Sequence, residues 1–335
     1  MIENGSRSFF AASRLLPRRI TDPCFALYAF CRLADDTVDV VGGRANAIRQ
    51  LRRRLDRIYA GAPMPLAPDR AFADVVGQYQ IPKILPEALI EGLEWDVEER
   101  QYETMDDLFD YCVRVAGTVG VMMACIMGTR NRDALARACD LGVAMQLTNI
   151  ARDIGEDARA GRLYIPRQWL SDAGLDASEW LRRPTANPAL RDVVRRLLNF
   201  ADILYCRAEA GISSLPRECR PAIMAARLIY ADIGREIRCR NYDSVNDRAI
   251  VSTTRKLRLL GRAVGRTIWI DGAVSAPCLP QALYLVDAAV TVPRADPKRD
   301  WREQLVWTID LFARLEARDQ MLRLESQKDS VLSSA

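Results

Sequence analysis

Two short runs of this 335-residue chain carry side chains that could do chemistry together. In Tyr28-Ala-Phe-Cys-Arg-Leu-Ala-Asp-Asp-Thr-Val-Asp39, the residues Tyr28, Arg32, Asp35 and Asp39 follow at steps of four, three and four. With about 3.6 residues per turn they share one helix face. Asp35 and Asp39 are like charges about one turn apart, which costs an isolated helix a few tenths of a kcal/mol unless a cation sits between them. In Gln146-Leu-Thr-Asn-Ile-Ala-Arg-Asp-Ile-Gly-Glu-Asp157, the residues Gln146, Asn149, Asp153 and Asp157 again form one stripe, an all-oxygen surface of two carboxylates and two carboxamides. Its neighbours Leu141, Val143, Ala144, Leu147 and Ile150 are apolar, so the stripe points into the protein.

Taken singly, each Asp-x-x-x-Asp reads as an ordinary solvated acidic face. Two of them in otherwise apolar helices read differently, because a buried carboxylate must be paired or ligated to stay charged. Facing helices of a bundle can build a metal site in this way. The donors are hard oxygens, which suit Mg²⁺ or Mn²⁺, and Mg²⁺ is usually held by few carboxylates together with substrate phosphates.

The chain contains no histidine, which excludes a Ser-His-Asp triad, a Cys-His dyad, His-ligated zinc and an imidazole base. It has no G-x-x-x-x-G-K-[ST] loop, no G-x-G-x-x-G after a strand and no kinase signature, so nucleotide phosphoryl transfer has no cradle. Diphosphate as a leaving group fits better, with bound cations neutralising the departing charge and an apolar interior sheltering a carbocation from water.

Composition sets the frame: 49% hydrophobic and 27% charged residues mark a globular chain large enough to bury a core without disulfides. Nine cysteines with no C-x-x-C pair fit reduced, buried thiols. A net charge of +4 is too weak to argue for nucleic acid, and all but four of the 48 basic residues are arginine, so an arginine counts only where spacing ties it to other site groups. The first residues have no apolar segment of a secretory leader, and the run from Ile268 to Val292 is broken by Asp271, Pro277, Pro280 and Asp287. A cytoplasmic protein is expected, at most peripheral on a membrane.

Helical periodicity dominates and the chain is expected to be all-α. Candidate helices cover Asp22 to Val41, Arg44 to Ala60, Arg70 to Tyr79, Pro86 to Gln101, Met105 to Met127, Arg132 to Arg159, Ala189 to Ser214, Arg220 to Cys239 and Ser252 to Val264. The breaks between them are short, which favours one helical domain over residues 1–290. Residues 291–335 are expected to form a C-terminal amphipathic helix, with Leu305, Ile309, Phe312 and Leu315 on one side, and a disordered tail.

At the two aspartate runs the chain resembles the squalene/phytoene synthase family, most closely its bacterial phytoene-forming branch. Y-A-F-C-R-L-A-D-D-T-V-D and A-M-Q-L-T-N-I-A-R-D-I-G-E-D-A-R-A-G-R-L-Y-I-P match the family's two long signatures. S-R-S-F-F-A-A-S-R-L-L-P, Y-C-V-R-V-A-G-T-V-G and E-I-R-C-R-N-Y-D extend the likeness over residues 6–265. The resemblance implies a single isoprenoid synthase helical bundle with a central cavity. It implies metal ligation by Asp35 and Asp39 from one wall and by Asn149, Asp153 and Asp157 from the other, with the four aspartates catalytic; Asp36, about 100° round the helix from Asp35, is expected outside the metal shell. Ser6, Arg7 and Ser8 match a segment that grips a diphosphate, although they also read as a helix cap. Tyr28, Arg32, Gln146 and Arg152 match substrate-contacting positions, Tyr111 a tyrosine of the reaction cavity, and Tyr242 a segment closing over it. A core role is equally open for Tyr111, and for Gly117, Gly120, Met122 and Met123 as channel wall.

The implied reaction joins two molecules of geranylgeranyl diphosphate head to head, through prephytoene diphosphate, to phytoene, with Mg²⁺ or Mn²⁺ and without NAD(P)H. The amphipathic substrate and hydrocarbon product imply peripheral membrane contact. Two alternatives stay open: a C30 enzyme that condenses two farnesyl diphosphates, and a non-catalytic helical assembly protein of the same fold. The catalytic base, the oligomeric state and protein partners are not legible in the sequence.

Overall fold

In a computed structural model, residues 12–13, 15–39, 44–267 and 276–292 are described, without the side chains of residues 32–39, 44 and 45. The described residues form helices and no strand. In chain order these are α1 (Arg18–Asp39), α2 (Arg44–Tyr59), α3 (Ala67–Tyr79), α4 (Ile84–Val97) and α5 (Met105–Cys112), then a π-helical turn (Val113–Gly117) and α6 (Thr118–Ile126). There follow α7 (Arg132–Arg159), α8 (Arg167–Asp172), α9 (Ala177–Arg182), α10 (Pro188–Ile212), α11 (Arg220–Cys239), α12 (Thr253–Thr267), a 3₁₀ turn (Pro280–Ala282) and α13 (Leu283–Val290).

Helix α7, 28 residues and about 42 Å long at 1.5 Å per residue, is the axis of the fold. Asn131 caps its N-terminus by accepting from the Ala134 N–H at 3.0 Å. Helices α6, α10 and α11 pack along it. Small residues permit the closest crossings: a Cβ on Gly142 would stand 2.2 Å from the Ala116 carbonyl oxygen, and one on Gly120 equally close to that of Ala138.

Several boundaries differ from the periodicity reading for local reasons. Helix α1 begins a turn earlier than Asp22 and runs through Pro23. The proline leaves the Arg19 carbonyl without its i+4 donor, and the Tyr79 hydroxyl approaches that oxygen at 3.4 Å. The single helix expected from Met105 to Met127 is split by the π turn, where the Thr118 N–H donates to Val113 O. The Arg114 carbonyl thereby freed accepts from the Thr118 hydroxyl at 2.6 Å. This stretch, Met105–Ile126, is apolar and long enough to cross a membrane, but two thirds of its most apolar window is buried in the protein (67%). Helices α8 and α9 have six residues each, too few for periodicity to show. Helix α13 was also missed in the proline-broken stretch; it buries Leu285, Val286 and Ala289. The expected helix over Leu305 to Leu315, and the tail, lie outside the described residues.

Candidate active site

One face of α7 carries Ala134, Arg137, Ala138, Leu141, Gly142, Met145, Gln146, Asn149 and Asp153, all lining one cavity of about 360 Å³. The face changes character along its length, apolar toward the N-terminus and polar toward the C-terminus. Helix α1 adds Cys24, Leu27, Tyr28 and Cys31, and the π turn and α6 add Val115, Ala116, Val119, Gly120 and Met123. The polar end is completed by Asp96, Tyr111, Arg162 and Tyr164. A long apolar pocket with convergent polar groups at one end suits a ligand with a charged head and a hydrocarbon tail.

The acidic stripe on α7 is not uniform. Asp153, buried, accepts from Arg152 Nε at 2.8 Å and Nη2 at 2.5 Å, and from Arg248 Nε at 2.8 Å. Arg152 is therefore turned onto its neighbouring carboxylate, and it does not line the cavity. Asp157 Oδ1 and Asn149 Oδ1 are buried with no hydrogen-bond partner among the described residues. Burial, reinforced by Asp153 and Glu156, pushes the Asp157 carboxyl up to about 8. Two buried hard-oxygen atoms without a donor fit a divalent cation such as Mg²⁺. Among the described residues no cluster of three or more His, Cys, Asp or Glu side chains is arranged to hold a metal. The side chains of Arg32, Asp35 and Asp39, the expected opposite wall, lie outside the description, as do Ser6, Arg7 and Ser8.

Of the other expected residues, Tyr28, Gln146 and Tyr111 line the cavity. Gly120 and Met123 form part of its wall, whereas Gly117 and Met122 are buried in the core behind it. Tyr242 does not line it. Asn241 and Tyr242 sit consecutively in the left-handed region at φ 53° and 59°, uncommon for non-glycine residues, and start a loop that docks on α7. There the Gly155 N–H donates to Ser244 O at 3.0 Å, and a Cβ on Gly155 would meet the Val245 carbonyl at 2.3 Å. Gly155, between the two aspartates, thus lets the loop bring Arg248 onto Asp153.

Sequence reading missed Asp96, Tyr164 and Arg248. The two oxygens of Asp96 accept from the Tyr111 hydroxyl at 3.0 Å and the Tyr164 hydroxyl at 2.9 Å. Burial and the Asp96 charge hold both phenols well above the usual range, so they stay protonated. Tyr164 lies in the quoted R-L-Y-I-P run, but nothing in its spacing ties it to Asp96.

A model of the squalene/phytoene synthase family matches residues 2–258. The chain is 48% identical to "Phytoene synthase" of Cereibacter sphaeroides, covering 96% of this chain and 93% of that one. It is 50% identical to "Phytoene synthase" of Rhodobacter capsulatus over 86% and 88% of the two chains. Among solved structures, a dehydrosqualene synthase in complex with ligand is 32% identical with a TM-score of 0.73, covering 79% of this chain and 93% of that one. A squalene synthase from Alicyclobacillus acidocaldarius is 27% identical with a TM-score of 0.65, covering 70% and 89%.

Proposed function

The chain belongs to the squalene/phytoene synthase family, and on that premise we propose that it condenses two molecules of geranylgeranyl diphosphate into phytoene, releasing both diphosphates. The observation that carries this reading is the α7 stripe, which within one cavity runs from a polar end with Asp153 and the undonated Asn149 carboxamide oxygen to an apolar end, with the undonated Asp157 oxygen one turn beyond Asp153 on the same helix.

Loss of diphosphate from the first molecule gives an allylic cation, and the double bond of the second attacks it. Proton loss closes a cyclopropane, giving prephytoene diphosphate. A second ionisation rearranges the ring, and a final proton loss forms the central double bond, so no reductant enters. Asn149 and Asp157, with Asp153, Asp35 and Asp39, would hold divalent cations, which when bound supply positive charge against the departing diphosphate. The apolar walls from Leu27, Leu141, Val119 and Met145 keep water from the cation. Tyr111 and Tyr164 line the cavity and donate to Asp96, and their phenol oxygens would favour positive charge developing beside them. Tyr28 and Gln146 orient the substrate at the polar end. Ser6, Arg7, Ser8 and Arg32 are proposed to contact diphosphate. Reversible contact with a membrane surface would deliver the substrate and receive the hydrocarbon.

A time course with geranylgeranyl diphosphate and Mg²⁺, without NADPH, tests this. Prephytoene diphosphate is expected to rise and then fall as phytoene accumulates. A cyclised C20 product, or no product, would overturn it.

A further inference from the structure

Helix α12 has a wider apolar face than the protein covers. Leu259 and Ala263 are buried and Leu260 is half-buried, but Leu257 and Val264 are 63% and 47% exposed. At about 100° per residue these five side chains spread over roughly 160° of the helix, and packing on α11 shields the Leu259 and Ala263 side of that arc. Ile250, in the loop that leads into the helix, is 61% exposed as well. Beside the exposed apolar pair lie Gly261 and Gly265, where an added Cβ would meet nothing within 4 Å.

The other flank of this outward face is basic. Helix α12 carries Arg255, Lys256, Arg258, Arg262 and Arg266 and no acidic residue. Arg255 pairs with Asp232 of α11 at 2.9 Å and Arg266 with Glu209 of α10 at 2.6 Å, so those two acidic groups are neutralised. Arg258 and Arg262, one turn apart and exposed, have no hydrogen bond or ion pair among the described residues. The helix also stands close to the apolar wall of the cavity. Its buried side shares one apolar cluster with Met145, Ile212, Ile223 and Ala226, which line that cavity.

Uncovered apolar side chains next to unpaired arginines fit the boundary of an anionic bilayer, where the apolar groups enter the acyl region and the arginines meet phosphate head groups. A second copy of the chain would set one basic face against another. A nucleic acid would engage the arginines and leave Leu257 and Val264 in water. We propose that the outer face of α12, with Leu257 and Val264 as apolar contacts and Arg258 and Arg262 as head-group contacts, docks the protein on an anionic membrane. The inference deepens the membrane contact of the function proposed above, and so rests on the prenyl diphosphate reading, by naming the surface that makes it.

The test is flotation of the purified full-length protein with vesicles of phosphatidylcholine alone or of equal parts phosphatidylcholine and phosphatidylglycerol. The wild-type protein should float with the mixed vesicles, less with phosphatidylcholine alone, and less at high salt. The double variant Leu257→Asp/Val264→Asp should lower partition onto mixed vesicles at least about tenfold, through lost apolar burial and added repulsion. Arg258→Gln/Arg262→Gln should lower it by about tenfold or more, since each arginine near an anionic surface contributes about fivefold. Both should keep the wild-type circular dichroism and the wild-type kcat on detergent-dispersed geranylgeranyl diphosphate. Should the aspartates disturb folding, the arginine variant decides alone. Wild-type protein that ignores the mixed vesicles, or folded variants that float as the wild type does, would overturn the proposal, as would variants that change only the oligomeric state in analytical ultracentrifugation. Flotation that depends on α12 in a protein that turns over no prenyl diphosphate would uphold the surface and sink the enzymatic reading instead.

Discussion

Asp153 and Asp157 stand one turn apart on α7 in opposite surroundings: Asp153 is held by Arg152 and Arg248, whereas Asp157 keeps a buried oxygen that no described residue donates to. The two members of one motif thus differ in what already holds them. Asp153 anchors the Arg248 loop to the helix, and Asp157 offers the free oxygen.

Asp157→Asn should therefore lower turnover at least about a hundredfold, since a lost ligand removes several kcal/mol of charge stabilisation, while circular dichroism stays as in the wild type. In thermal shift, Mg²⁺ with inorganic diphosphate should stabilise the wild-type protein and leave Asp157→Asn unmoved. A variant that keeps more than a tenth of the activity would contradict the assignment.

The arginines on Asp153 are unequal. Arg152 is buried, and Arg152→Met leaves a buried carboxylate short of its main partner, an expected loss of about 3–5 kcal/mol in urea unfolding. Arg248 is partly solvated, and Arg248→Met should cost about 1 kcal/mol. Equal losses, or a larger one at Arg248, would contradict this ordering.

Tyr111 and Tyr164 share one carboxylate, so they should act as a unit. Tyr111→Phe and Tyr164→Phe are each expected to lower kcat on the order of tenfold to a hundredfold. The double variant should be little worse than the poorer single one, as for groups that work together. Fully additive losses in a double-mutant cycle would contradict the shared role.

Asp140 gives a pH signature. Burial raises its carboxyl to about 6, against the opposing pull of Arg137 and Arg207. Because the folded-state value lies above the ordinary 3.8, this group's contribution to stability is complete below pH about 4 and is lost as pH rises through about 6. Asp140→Asn removes that titration. The stability difference between variant and wild type should move in the variant's favour between pH 4 and pH 6, by on the order of 3 kcal/mol. A difference that stays constant across that window would contradict it.

Much of this was legible in the sequence. The bounds Arg132 to Arg159 of α7 were read correctly because the helix is long, strongly periodic and capped by Asn131. The inward stripe followed from the apolar residues around it. What could not be read depends on contacts between distant segments. Asp96 meets Tyr164 across 68 residues, Arg248 meets Asp153 across 95, and Arg137 meets the 276–277 backbone across about 140. No spacing rule links such pairs. For Arg152, which matches a substrate-contacting position, helical position does not show that the carboxylate beside it takes the Nε and Nη2 of its guanidinium.

The most direct measurement of the central claim is product analysis of the purified protein with Mg²⁺ and no reductant, offered geranylgeranyl and farnesyl diphosphate in parallel. Phytoene from the C20 substrate, with two diphosphates released per hydrocarbon, is the expected result, and it should vanish with EDTA and return with Mg²⁺ or Mn²⁺. A C30 hydrocarbon from farnesyl diphosphate with no C40 product, or turnover indifferent to chelation, would contradict the account.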